Sequence, residues 1–252
     1  MTAVVLAAGY ATRLYPLTRD TAKPLLDVAG RTILDRIMEN AARIPGLRSA
    51  VVVSNARFYD QFQRWAVCAD YGISTTVLND GSTADSNRLG ALADLRFAVH
   101  QCDIRDDAMV IAGDNLFDFE LAEFAAFFAS VNGDCIAVGR IDDSEQLRRT
   151  GVVEIDLDDK VLSFEEKPQN PKSNWAAPPL YCYRAATLRE LLEEFLRSGA
   201  NGDAPGAFVP WLLTRTAVYA FRFEGQRHDI GTLQSYNSVR ALFGARERHS
   251  AS

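Results

Sequence analysis

Short apolar runs rich in valine and isoleucine alternate with longer stretches of helical period through the first half of the 252-residue chain, which confines it to strand and helix layers around a sheet. The runs are Ala3 to Ala8, Ala50 to Ser54, Ser74 to Leu78, Met109 to Ala112 and Cys135 to Val138, and they have the continuous apolar character of strands covered on both faces. Between them Ile33, Leu34, Ile37, Met38, Ala41 and Ile44 recur at three and four residues behind Thr32, a helix cap with Asp35 three residues on. Leu89, Leu92 and Val99, then Leu121, Phe124, Phe127 and Phe128, continue the helical pattern. The expected class is α/β, with a mixed, mostly parallel central sheet and helices on both faces.

After Val138 the pattern changes. Gly151 to Ile155 and Val161 to Phe164 flank Asp156-Leu157-Asp158-Asp159 and read as two antiparallel strands joined by a solvated turn. A proline-rich stretch from Pro168 to Pro179 leads to a strand at Leu180 to Tyr183, then to an amphipathic helix bearing Leu188, Leu191, Leu192, Phe195 and Leu196. A loop with Gly199, Gly202, Pro205 and Gly206 precedes a last strand, Ala217 to Phe223. A closing helix with Leu233, Tyr236 and Phe243 ends in a polar tail expected to fray. One domain over 1–252 is expected, divided into 1–138, a smaller antiparallel lobe with its returning strand over 139–231, and a helix and tail over 232–252.

Charge and cysteine content narrow the function. The net charge is −6, from 33 acidic and 27 basic residues, which argues against a sequence-independent grip on nucleic acid or anionic lipid. An anionic ligand must meet a local basic cluster. Cys68, Cys102, Cys135 and Cys182 form no close pair, so they read as buried reduced thiols rather than a zinc or redox motif. The run Ala3 to Ala8 has no basic leader and is too short for a signal peptide or a membrane span, so no membrane partner and a cytoplasmic location are expected. Only four of the basic residues are lysines, Lys23, Lys160, Lys167 and Lys172, so each lysine stands out.

Several segments carry chemistry. The first strand runs into Ala7-Ala8-Gly9-Tyr10-Ala11-Thr12-Arg13-Leu14, where small side chains let backbone amides approach a phosphate and Arg13 adds planar donors. A tight strand exit is the plain alternative, and neither a Walker loop nor the dinucleotide glycine spacing is present. Lys23, stiffened by Pro24, could join Arg13 in a basic cluster for a triphosphate, or be a solvated surface lysine. Asp114 follows Val110-Ile111-Ala112-Gly113 at a strand end, where a carboxylate can hold a magnesium ion beside phosphates or cap the Phe117 to Phe128 stretch. Glu165-Glu166-Lys167-Pro168 places two acids and an ammonium at a rim, suited to a hydroxylated phosphate ester or to mutual compensation. Asp229 in His228-Asp229-Ile230-Gly231-Thr232 stands at a strand-to-helix junction, with capping as its alternative. His228 has no partner visible in the sequence.

In order and type these segments resemble the sugar-1-phosphate nucleotidylyltransferases, in particular the glucose-1-phosphate thymidylyltransferases. Leu6 to Leu14 is similar to the signature loop of that family, Thr21-Ala22-Lys23-Pro24-Leu25-Leu26 to its phosphate-lysine segment, and Ala112-Gly113-Asp114-Asn115 to its metal-aspartate strand end. Glu165 to Pro168 resembles the sugar-phosphate motif. Pro171 to Ala176 with Leu180 to Tyr183 resembles the region closing over the sugar, and Asp229 to Thr232 the second metal aspartate.

The resemblance implies a Rossmann-like nucleotide-diphospho-sugar transferase fold, with nucleotide on the first half and sugar phosphate under the antiparallel lobe. It implies a magnesium-dependent nucleotidylyltransferase that condenses a nucleoside triphosphate with a sugar 1-phosphate and releases pyrophosphate by in-line attack on the α-phosphorus. The implied roles give the triphosphate to Arg13 and Lys23, the metal to Asp114 and Asp229, and the nucleotide to Ala7, Ala8, Gly9, Asn79, Gly81 and Gly90. The sugar phosphate falls to Gly151, Glu166, Lys167 and Trp175, with Lys167 also counted among the catalytic groups. A homo-oligomer is compatible with the resemblance.

The chain departs from the family at the alanines Ala8 and Ala11 of the loop, at the base-reading segment Asn79 to Gly90, and at Pro178-Pro179. These departures leave the base and the acceptor open, so a cytidylyltransferase acting on a phosphate such as phosphocholine and a non-catalytic nucleotide-sensing subunit remain alternatives. Hydride transfer is disfavoured by the glycine spacing of the first loop.

Overall fold

A computed structural model describes residues 1–250 of the chain, the last two by their helical backbone alone. Its strands are β1 (Thr2–Leu6), β2 (Asp27–Val28), β3 (Arg31–Thr32), β4 (Ser49–Ser54), β5 (Ser74–Asn79), β6 (Ala108–Ala112) and β7 (Asn115–Phe117). They continue with β8 (Asp134–Arg140), β9 (Gly151–Ile155), β10 (Val161–Glu166), β11 (Trp175–Ala177), β12 (Leu180–Tyr183), β13 (Val218–Arg222) and β14 (Arg227–Asp229). The helices are α1 (Ile33–Ala41), α2 (Tyr59–Cys68), α3 (Ala91–Gln101), α4 (Leu121–Ser130), α5 (Ser144–Leu147), α6 (Leu192–Arg197), α7 (Phe208–Leu212) and α8 (Leu233–Ser250).

Ten strands form one sheet in the order β10-β9-β11-β8-β12-β6-β1-β4-β5, with β13 on β8. Strands β6, β1, β4 and β5 run parallel, as the uninterrupted apolar runs require, and β13 lies parallel to β8. From β12 to β10 the order is antiparallel, so the lobe expected over 139–231 extends the central sheet rather than forming a sheet of its own.

Alternate residues of each central strand serve opposite faces. Ala3, Val5, Val52 and Ile111 pack with α1, α4 and α8, whereas Val4, Val51, Val53 and Val110 pack with α3, α6 and α7. Helices therefore cover both faces. No helix among the described residues is long and apolar enough to cross a membrane.

Some expectations are corrected. Asp114 caps no helix, because β7 follows it and α4 begins only at Leu121. The segment 187–191 makes one wide helical turn before α6. The tail beyond Phe243 is helical as far as Ser250, and 251–252 lie outside the described residues. Cys135 and Cys182 are buried, whereas Cys68 is exposed and Cys102 half-buried, because α2 and α3 end where their last turns leave the sheet. Helix α2, with an apolar face reduced to few positions, gave no periodic signal.

The expected cap of α1 forms as a reciprocal box: Thr32 Oγ1 accepts from Asp35 N at 3.0 Å, and Asp35 Oδ2 accepts from Thr32 N at 2.8 Å. Asp35 Oδ1 also accepts from Trp65 Nε1 at 2.7 Å and Tyr71 Oη at 2.5 Å, binding α1 to α2 and the turn after it. Burial would raise the pKa of this carboxyl, but the four donated bonds outweigh it and hold the group below its ordinary range. A depressed acid stabilises the fold above the unfolded carboxylate pKa, and that contribution is lost as pH falls through the folded value. Asp35→Ala is expected to cost about 2–4 kcal/mol in urea unfolding at neutral pH. Its deficit against the parent shrinks in acid, and an equal deficit at both pH values would refute the assignment.

Candidate active site

The site is assembled where three strand ends meet. The loop after β1 is fixed through its backbone by β4, Asn55 and Thr18. Ala7 N donates to Val53 O at 2.8 Å, Asn55 Nδ2 to Ala8 O at 2.9 Å, and Thr18 Oγ1 to Ala11 O at 2.7 Å. Ala11 adopts a left-handed backbone (φ 47°) at the start of the turn that carries Arg13. Arg13 is exposed and makes no ion pair within 4 Å among the described residues. Lys23 opens a second turn, fixed by Pro24, and is only 7% exposed.

Across from it, the end of β6 comes unusually close to this loop. Gly113 N donates to Leu6 O at 2.9 Å, and a Cβ on Gly113 would lie 3.1 Å from Leu6 O and 3.2 Å from Pro24 Cγ. A larger residue would push the lysine turn away. With glycine there, Lys23 Nζ reaches Asp114 Oδ2 at 2.7 Å.

The third strand end belongs to β14, paired antiparallel with β7 so that Asp229 stands opposite Asn115. Asn115 Nδ2 donates to Asp114 Oδ1 at 2.6 Å, and Arg227 Nε donates to Asn115 Oδ1 at 2.5 Å. Arg227 Nη2 lies 3.5 Å from Asp229 Oδ2. A chain of alternating charge and amide thus runs from Lys23 through Asp114, Asn115 and Arg227 to Asp229. It lines a cleft of about 460 Å³, together with Gly9 and Arg13.

Four of the five ionic groups singled out in the sequence, Arg13, Lys23, Asp114 and Asp229, therefore share one cleft with Ala7 and Gly9. Ala8 lies behind it in the core, where its carbonyl anchors Asn55. Lys167 does not line it. Its side chain is 62% exposed and lies 3.8 Å from Glu166, at a residue with φ 49°. Burial raises the pKa of Glu166, with Lys167 opposing. Gly151 and Glu166 are paired in register, and Gly151 pairs with Ala177, two residues before the cleft-lining Pro179.

Trp175 is not brought to the cleft. Its ring lies under the Arg222 guanidinium, 5.2 Å from its centroid. Asn79 is spent on a turn, its Oδ1 accepting from Gly81 N at 2.9 Å, with Gly81 left-handed at φ 81°. Gly90 has φ 93° and abuts the loop after α6. His228 is structural: it meets Asp118 Oδ1 at 2.9 Å, and burial of Asp118 is outweighed by bonds from Arg246 and His228 that hold it at about 2.

Two functional candidates carried no role in the sequence reading. Arg227 could have been found, because strand period two places it on the same face as Asp229. Arg88, also in the cleft wall, is gripped by Asp203 at 2.6 and 3.0 Å and by Asp85 at 2.9 Å, and those partners are set by loop packing that no local pattern signals. Asp114 and Asp229 suit a hard divalent cation, which takes one or two carboxylates and completes its shell with phosphate and water. Each is already matched by a nearby side-chain cation in one open cleft.

This geometry belongs to a class. A model of the nucleotidyl transferase family matches residues 2–244, and the chain belongs to that family. It is 29% identical over 253 residues to a glucose-1-phosphate adenylyltransferase from Clostridium acetobutylicum, covering 92% of this chain and 64% of that one. The chain spans about three-fifths of the length of the curated adenylyltransferases it matches.

Among solved structures it is similar to a Bacillus anthracis protein assigned as a glucose-1-phosphate thymidylyltransferase, in complex with sucrose, at TM-score 0.82 and 23% identity over 97% and 96% of the two chains. A UDP-glucose pyrophosphorylase complexed with UDP-glucose follows at TM-score 0.80 and 17% identity over 97% and 98%. These two likenesses establish the fold.

Gly90 offers a test of the wall beside this cleft. A Cβ there would lie 3.1 Å from Asp203 Cα, on a backbone that side chains rarely adopt. Gly90→Ala is expected to cost about 1–3 kcal/mol and to expose the loop 199–206 to limited proteolysis. Unchanged unfolding and cleavage would show that the contact is slack.

Proposed function

We infer that the protein is a sugar-1-phosphate nucleotidylyltransferase, joining a nucleoside triphosphate to a sugar 1-phosphate with release of pyrophosphate. The observation that carries this reading is the shared cleft in which Arg13 and Lys23 face Asp114 and Asp229. The acceptor phosphate is already ionised, so the reaction needs no strong base. It needs two anions held in line and the charge between them neutralised.

Arg13, with no competing carboxylate, grips the outer phosphates, while the backbone amides of the loop 7–12 approach those nearer the sugar of the nucleotide. Lys23 serves the phosphate undergoing attack. Asp114 and Asp229 would hold magnesium, which would supply positive charge to the phosphates. Arg227 steadies Asn115 and Asp229 so that the carboxylates keep their spacing. The segment from Asn79 to Gly90 borders the nucleotide side.

Gly151, Glu166 and Lys167 form the acceptor side. Their support is the register that aligns Gly151 and Glu166 with Ala177, and through Pro178 with the cleft wall at Pro179. Glu166 accepts acceptor hydroxyls and Lys167 pairs its phosphate.

A matrix of ATP, dTTP, UTP, CTP and GTP against glucose 1-phosphate and other sugar 1-phosphates, with magnesium, tests the reaction by pyrophosphate release. One productive pair is expected, and none across the matrix would overturn the reading. Asp114→Asn keeps the shape but removes the charge, and it should lower kcat by about a hundredfold or more. Lys167→Ala should raise KM for the acceptor while leaving calorimetric nucleotide affinity within about twofold, since only one of two separate phosphate grips is lost. The reverse pattern would move Lys167 to the nucleotide side.

A further inference from the structure

Two carboxyl groups have no part in the proposed reaction, one within the segment 79–90 and one in α3 behind it. Asp94, in the first turn of α3, is 6% exposed, and its Oδ1 meets no hydrogen-bond donor among the described residues. Its side-chain neighbour is another acid, Asp80, in the turn after β5. Asp80 is engaged on its other side. Its Oδ1 accepts from Ser82 N at 2.7 Å and from Ser82 Oγ at 2.8 Å, its Oδ2 lies 2.9 Å from the same hydroxyl, and its own N donates to Ser54 O at 2.9 Å. Tyr10 Oη, in the loop after β1, donates to Ser82 Oγ at 3.4 Å.

Two ionised carboxylates repel at so buried a position, whereas one proton between them turns that repulsion into a hydrogen bond. Among the described residues no cation acts on the Asp94 carboxyl, and the turn 187–191 packed against α3 brings Arg189 and Glu190 without either acting on it. The strands packed against α3, β1 and β4, carry no ionisable side chain, and Glu193 of α6 is turned to Arg96 and His100. Arg88, just before the helix, is committed to Asp85 and Asp203. Arg57 and Asp85 act on Tyr10 rather than on Asp94.

We propose that Asp94 is a positioning residue: it donates its carboxyl proton to Asp80 and so fastens the turn 79–82 to α3 and, through Ser82 and Tyr10, to the phosphate loop. The same turn then gives one geometry to both ends of a bound nucleoside triphosphate, a consequence that rests on the function proposed above. Burial, with Asp80 adding to it, pushes the Asp94 carboxyl up to about 8. An acid raised in this way favours the folded state most below the unfolded carboxylate pKa, and that advantage falls as pH climbs toward 8.

Asp94→Asn keeps the shape and a permanent donor, while Asp94→Ala removes the donor. Infrared spectra at neutral pH should show a protonated-carboxyl carbonyl band in the parent that Asp94→Asn lacks. In thermal unfolding from about pH 6 to about pH 9.5, the Tm of Asp94→Asn should rise relative to the parent as pH increases. Equilibrium titration with ATP, dTTP and UTP should give Asp94→Ala about tenfold weaker nucleotide binding at neutral pH, restored in Asp94→Asn. The parent should weaken above pH 8, and the asparagine variant should not.

Absence of the band, or parallel Tm curves for parent and Asp94→Asn, overturns the proposal. A parent that binds none of the three nucleotides refutes the functional reading instead, and the infrared and thermal results still decide the carboxyl pair.

Discussion

The contact between Lys23 and Asp114 sets what the rest of the fold must provide. A nearly buried ammonium is tolerable only beside an opposite charge, and a carboxylate at a strand end attracts one. Bringing them to 2.7 Å requires the turn after β1 to lie against the end of β6. That in turn requires parallel, adjacent β1 and β6, a proline to stiffen the lysine turn, and no side chain on Gly113. A sequence change far from the chemistry, such as a methyl at Gly113, would reach the site through this approach.

Much of this was legible in the chain. The central strands were visible because both faces are covered, so their apolar runs are unbroken and their ends fall near the observed ones. Asp114 stood out beside a glycine at the end of such a run, and Lys23 as one of only four lysines, beside a proline. Other parts were hidden for physical reasons. Strands β7 and β14 are three residues long, too short for a periodic pattern to announce them, although Asp229 stood out at its junction and Arg227 lies two residues before it. Asp94 had no role in the sequence, and only the fold shows that it is buried with Asp80 beside it. Trp175 was singled out by the family resemblance, yet its ring lies under Arg222.

The antiparallel lobe joins the central sheet edge to edge, and this bears on how two substrates can be brought together. Register carries Glu166 to Gly151, Gly151 to Ala177, and so to the wall of the cleft, without a flexible linker between the proposed acceptor and nucleotide sides. Orientation by a continuous sheet limits the entropy left to lose when both ligands are bound. Lys167, its side chain 62% exposed at a left-handed backbone position beyond the last strand residue, stands 3.8 Å from Glu166.

Charge within the cleft is arranged for exchange. The chain as a whole carries −6, yet the cleft wall holds Arg13, Lys23, Arg88 and Arg227 against Asp85, Asp114 and Asp229. All but Arg13 are already matched, so the wall carries little uncompensated charge before an anion arrives. On the proposed function, a triphosphate would pair with Lys23 while Asp114 would be freed to hold a divalent cation. Neither charge would then be left bare, which would avoid the penalty that normally attends breaking an ion pair with one buried member. Arg13, exposed and in no ion pair among the described residues, would be the group to meet an incoming phosphate first in a chain of net charge −6.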